Sequence, residues 1–232
     1  MKFHKLKVGA VLAATLTMLG GAAHAVTVNL VTDDSNVLTT DSLTGFATDG
    51  ADMVGMVVTA NGSSSATWAA TGGSSGAANN SDFRVGLGGD SFNTSWSLRV
   101  KQGAFLTSLM LDGVPGNTVF DLSTSTAGGS TSGSAAGLDF AAPGSGTVTA
   151  TYSNIVALTG DSPVGDIFAK LTLDFTGLAG GGLGRGLYSF TQDTDNASTK
   201  LVPVNPVPLP AAGWMLLAGL GGIAAMKRRK KA

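Results

Sequence analysis

The oxygen-rich run Phe190-Thr191-Gln192-Asp193-Thr194-Asp195-Asn196 holds the residues of this chain whose types and spacing best suit chemistry. Asp193, Asp195 and Asn196 offer hard oxygen donors of the kind Ca²⁺ takes. An EF-hand loop would add a glycine at its sixth position and a closing Glu, and neither follows here. Two readings stand: a Ca²⁺ site on Asp193, Asp195 and Asn196, or a turn in which Asx side chains bond their own backbone. Asp33-Asp34-Ser35-Asn36 is a second oxygen cluster, with a stronger turn character. Two suitably spaced Asp residues can also hydrolyse a glycosidic bond, but no pair stands out by context.

Missing residue types narrow the chemistry further. The chain has no Cys and no Glu, and its two histidines are His4 and His24. Disulfides, Cys/His zinc sites, thiol nucleophiles and imidazole-based triads are thereby excluded. Gly72-Gly73-Ser74-Ser75-Gly76 fits G-x-S-x-G formally, but with no His to act as base it reads as a flexible Ser/Gly loop. Aromatic platforms for sugar stacking are few. Trp96 falls on an apolar strand face, which leaves Trp68, between two Ser/Gly-rich segments, as the one candidate.

The elements that must position these groups are strands. The middle of the chain has no Glu and few of the Lys, Gln and Arg that fill exposed helix faces, and Thr and Val recur in short alternating runs. The pattern predicts strands over 26–32, 53–60, 83–87, 95–101, 105–112, 118–122, 147–153, 167–176 and 186–192. Alternation places Trp96, Leu98 and Val100 on one face, and Ile167, Ala169, Leu171, Leu173 and Phe175 on another. Many short strands with turns between them predict an all-β fold, a jelly-roll-like β-sandwich. A parallel solenoid is the alternative, and no fixed-period repeat supports it. The Ser/Gly-rich stretches 60–81 and 123–137 are expected as long loops on one domain, since neither flank alone supplies enough strands to close a core.

The two ends carry addresses. Lys2, Lys5 and Lys7 precede an apolar run from Val8 to Leu19, and Ala23-His24-Ala25 presents small residues before Val26. This is the pattern of a signal peptide over 1–25, handled by the Sec machinery and cut by signal peptidase after Ala25. Both histidines leave with it. Between the ends stand six cations and all fifteen acids, every one Asp, so residues 26–206 carry a net charge of −9. Such a surface disfavours nucleic acid and anionic lipid.

At the other end stand Val207-Pro208-Leu209-Pro210-Ala211, then Trp214 near one boundary of an apolar run, then Lys227-Arg228-Arg229-Lys230-Lys231. Pro210 to Met226 is 17 residues without a charge. As a helix it covers roughly 26 Å, against a hydrocarbon core of about 30 Å. This predicts a transmembrane helix over about 210–226, with the basic cluster held on the cytoplasmic side.

The order of Pro-containing box, short apolar helix and terminal basic cluster resembles the PEP-CTERM protein-sorting domain, in its VPLPA form. The resemblance covers about 25 residues and implies recognition by an exosortase, a membrane-embedded cysteine transpeptidase of Gram-negative bacteria. It implies cleavage near the box and transfer from an inner-membrane intermediate to the cell surface or beyond. Leu209 stands where the Pro-Glu-Pro form has its acid, so the bond cut is not carried over. The expected division is a signal peptide over 1–25, an ectodomain over 26–202 and a sorting tail over 203–232. Two functions are expected of the ectodomain: a structural or adhesive surface protein in an exopolysaccharide or biofilm setting, or a carbohydrate-binding module, with Ca²⁺ ordering a loop. A glycoside hydrolase is the remote alternative.

Overall fold

The computed structural model describes residues 26–44, 48–123, 130–134 and 137–204. The segment 1–25 expected as a signal peptide, and the tail beyond Val204 with its expected transmembrane helix, lie outside the described residues. In chain order the strands are β1 (Thr27–Thr40), β2 (Leu43–Thr44), β3 (Val57–Ala60), β4 (Ser64–Thr67) and β5 (Ala69–Ala70). There follow β6 (Ser75–Asn79), β7 (Phe83–Gly88), β8 (Trp96–Val100), β9 (Ser108–Asp112) and β10 (Thr118–Asp121). The last five are β11 (Thr147–Leu158), β12 (Ile167–Asp174), β13 (Gly186–Phe190), β14 (Asp193–Ala197) and β15 (Val202–Pro203). All nine expected strands are present. Among the described residues no helix is long and apolar enough to cross a membrane.

Two sheets result. The larger has the order β15-β1-β11-β12-β10-β14-β2, with β9, β3 and β4 branching from β12. The smaller runs β13-β8-β7-β6-β5. Every pairing is antiparallel except β1 with β11, which is parallel. β9 and β10 lie end to end along one side of β12, joined by a 3₁₀ turn at Val114–Gly116. The architecture is all-β and sandwich-like, and its sheets do not close into a barrel.

One apolar cluster joins the sheets. Val58, Leu109, Leu111, Val148, Tyr152, Phe168, Leu171 and Leu173 meet Phe83, Val85, Leu87, Trp96, Leu98 and Phe190 across the layer. The expected faces of β8 are as read: Trp96, Leu98 and Val100 are buried there. β12 differs. Leu171, Leu173 and Phe175 enter the main core, but Ile167 and Ala169 join a second cluster with Val119, Val156, Leu38 and Leu201. Phe168 takes the main-core side instead. The flip coincides with Asn154 on β11, whose φ of 59° is left-handed and breaks strict alternation. β1 is irregular between Asp33 and Val37, at the same level.

The Ser/Gly-rich stretch 60–81, expected as a loop, is largely strand. It contributes β4, β5 and β6, because its Ala and Ser residues are small enough for close strand packing. Trp68 is not an exposed platform. It is 1% exposed, tilted against Trp96 at 5.4 Å, and its Nε1 donates to the Gly50 carbonyl at 2.7 Å.

Candidate functional site

Asp193 and Asp195 stand on β14, a strand rather than a turn. Register fixes their neighbours: Asp193 pairs with Asp121 and Asp195 with Val119, while Asp121 also pairs with Ile167 on β12. Cross-strand partners share a face, so Asp121, Asp193 and Asp195 occupy the side that carries Val119 and Ile167. Asp166 immediately precedes Ile167. The spacing Asp-x-Asp thus works as a strand period of two.

The segment following β10 covers this face. Ser134 donates its hydroxyl to Asp121 Oδ2 at 2.5 Å. Thr131 grips Asp166 with its N–H at 2.5 Å and its hydroxyl at 2.6 Å. Gly137 presses on Asp121 so closely that a Cβ there would stand 2.5 Å from the carboxyl carbon. The Asp193 N–H donates to the Leu138 carbonyl at 3.2 Å. On the other flank, Ser91 donates to Asp193 Oδ1 at 2.8 Å and accepts from the Thr194 N–H at 3.0 Å.

All four acids are buried, at 1% exposure for Asp121, 2% for Asp166, 8% for Asp193 and 3% for Asp195. Burial pushes the Asp121 carboxyl up to about 8; the Ser134 bond opposes this, and Asp195, Asp193 and Asp166 add to it. Burial likewise pushes Asp195 up to about 7, with Ser134 opposing and Asp193 and Asp166 adding. Asp193 is raised by burial, against the Ser91 and Thr194 bonds. No cation is among the groups acting on these three. Three buried side-chain atoms are unpartnered among the described residues: Asp121 Oδ1, Asp195 Oδ2 and Thr48 Oγ1. Thr48 adjoins the cluster through its carbonyl, which accepts from the Ser91 N–H at 3.0 Å.

Asn196 faces away from these acids. Its Oδ1 accepts from Thr118 Oγ1 and its Nδ2 donates to the Asp52 carbonyl, both at 3.4 Å. The structure therefore keeps two of the three expected oxygen donors together and adds Asp121 and Asp166, which sequence spacing could not bring in from 72 and 27 residues away. Asp33 accepts from the Ser35 N–H at 3.0 Å, an Asx turn on the irregular part of β1. Among the described residues no three acidic, His or Cys side chains stand as a formed metal-ligand group.

A polar network ties the cluster to the core. Gln192 donates through Nε2 to the carbonyls of Asp121 and Asp193 at 3.2 and 2.9 Å. The Tyr152 hydroxyl donates to Gln192 Oε1, and Trp96 Nε1 donates to the Gln192 carbonyl at 2.8 Å. An apolar cavity of about 270 Å³ is bounded by Val26, Phe140, Phe175, Leu178, Tyr188 and Phe190.

No protein-family profile, curated protein or solved structure matches this chain.

Proposed function

We propose that the protein is an exported surface or extracellular-matrix protein, sorted by an exosortase through its tail and serving a structural or adhesive role. The observation that carries this reading is the three-part order of Val207–Ala211, the uncharged run 210–226 and Lys227–Lys231. A signal peptide ending at Ala25, read from the Lys-rich start, the apolar run and Ala23-His24-Ala25, supports export. The ectodomain is a jelly-roll-like sandwich in the sense of two facing sheets around one core. Its role is display and contact rather than catalysis: Asp121 and Asp195, the most perturbed acids, lie beneath Ser134 and Gly137, where no polysaccharide reaches them. The burial of Trp68 and Trp96 takes away the strongest sugar-stacking platforms and favours the structural reading over the carbohydrate-binding one.

Intact mass of the exported protein tests the proposal. The expected species starts at Val26 and ends between Val207 and Ala211, lacking both basic ends. A surface species still carrying Lys227–Lys231 would show a plain membrane anchor instead.

A further inference from the structure

We propose that Asp121 and Asp195, with Ser134 between them and Asp193 and Asp166 alongside, form a Ca²⁺ site within the folded domain. This goes beyond the sorting role and does not rest on it.

The first argument is a shortage of donors. Ser134 gives its one hydroxyl proton to Asp121 Oδ2, which leaves none for Asp195. One oxygen of each carboxyl is left over, and Asp121 Oδ1 and Asp195 Oδ2 are the two unpartnered atoms. Buried acceptors are nearly always satisfied, and an exception calls for a ligand or a proton.

The second argument is charge. Asp121, Asp193 and Asp195 share one buried face with no cation among the groups acting on them, and an unpaired buried charge is costly. Either protons or a cation must neutralise them. Chemistry selects the cation. Every donor is an oxygen, so soft N/S-seeking metals are disfavoured. The closed, dehydrated setting under Gly137 suits Ca²⁺, which accepts six to eight oxygens in flexible geometry, better than Mg²⁺, which keeps its waters. The carboxylates do not yet close as a ligand group, so ion entry draws Asp121 and Asp195 inward, with the Ser134 oxygen turned toward the ion.

The test uses full-length protein purified in detergent at neutral pH. Melting is followed from chelator to millimolar-order free Ca²⁺, with Mg²⁺ and Na⁺ of matched ionic strength as controls. Terbium luminescence, sensitised by nearby Trp96 and Tyr152, reports occupancy directly. A rise of several degrees in melting temperature with Ca²⁺, and a terbium signal displaced by Ca²⁺, are expected. Asp121→Asn and Asp195→Asn should lower terbium affinity by roughly tenfold or more and remove the Ca²⁺-dependent rise. Asn196→Ala, and the Asp33→Asn/Asp34→Asn pair on the exposed turn, should leave both intact. A melting curve indifferent to Ca²⁺ would show that protons neutralise the cluster and overturn the proposal, whether or not any variant folds. A response that survives Asp195→Asn, or is lost in the exposed-turn pair, would overturn its placement.

Discussion

Asp121 shows how far a single residue can depart from what its neighbours in sequence suggest. Thr118-Val119-Phe120-Asp121-Leu122 reads as an ordinary strand closing on a polar residue. Only the pairing with β14 and β12 turns that polar end into a buried acid. Asp193 and Asp195 were legible as oxygen donors, whereas Asp166 and Ser134 were not, since nothing local distinguishes them from other turn residues. The consequence in calcium-free protein follows from linkage. The folded carboxyls of Asp121 and Asp195 are raised to about 8 and about 7 from an ordinary 3.8. Asp193 and Asp166 face them, and Ser134 is the opposing donor. Between pH 4 and their folded values, the folded state holds protons that the unfolded chain has released. Stability is thus greatest at the acid end and falls as pH rises, by up to about 1.4 kcal/mol per pH unit for each group, levelling off above the folded values. With chelator present, the melting temperature should be higher at pH 5 than at pH 8, and Asp121→Asn should flatten the slope. A melting temperature that climbs over this range would show that these acids are ionised at little cost.

At the scale of elements, two local rules were readable and one was masked by composition. The period-two faces of β8 hold because its central position in the smaller sheet gives Trp96, Leu98 and Val100 one core to fill. The face of β12 splits because the sheet has apolar clusters on both sides at the level of Asn154, which an alternation count along one strand cannot reveal. The segment 69–79 was misread because Gly, Ser and Ala resemble a linker when their packing is unseen. Gly76 is small for a reason: a Cβ there would meet the Gly50 carbonyl oxygen at 1.9 Å and Trp68 Nε1 at 2.1 Å. The indole is fixed over that strand by its bond to Gly50. Gly73, three residues earlier in the turn, has nothing within 4 Å of its would-be Cβ. Gly76→Ala should therefore destabilise by about 1–3 kcal/mol through overpacking. Gly73→Ala should leave stability nearly unchanged. Denaturant melts of the two variants decide the matter, and equal midpoints would mean that the β5–β6 hairpin is as loose as its composition suggests.

At the scale of the whole molecule, the proposed sorting raises the question of how a folded sandwich would present its tail to a membrane protease. β15 pins the chain to the outer edge of β1, and the Val204 N–H donates to the Val37 carbonyl at 3.0 Å. Val207, the first residue of the box, follows three residues later in the sequence. Along β1, residues 27–36 carry no partner on that edge among the described residues, which leaves an open template. An antiparallel continuation of β15 would need N–H donors at every second position after Val204, at 206, 208 and 210. All three are prolines, which have no N–H. On the proposed reading, the same prolines that would favour an extended backbone for a protease cleft would also deny such a continuation its ladder bonds. In the proposed tail the basic cluster would act at the far side, since each cation costs about 2.5–3.5 kcal/mol at the bilayer centre and the apolar run is short. Two variants separate these roles. Replacing Arg228, Arg229, Lys230 and Lys231 by Ser or Gln should let the segment slip outward and release uncleaved protein into the soluble fraction. Replacing Pro208 and Pro210 by Ala should leave insertion intact but keep uncleaved protein in the membrane, both by losing the extended box and by restoring donors toward β1. A third variant, Pro206→Thr with Pro208→Thr and Pro210→Thr, restores all three donors and should show the strongest protection. Cleavage of all three variants at the parental rate would mean that neither the box nor the basic cluster is read, and that the tail is a passive anchor.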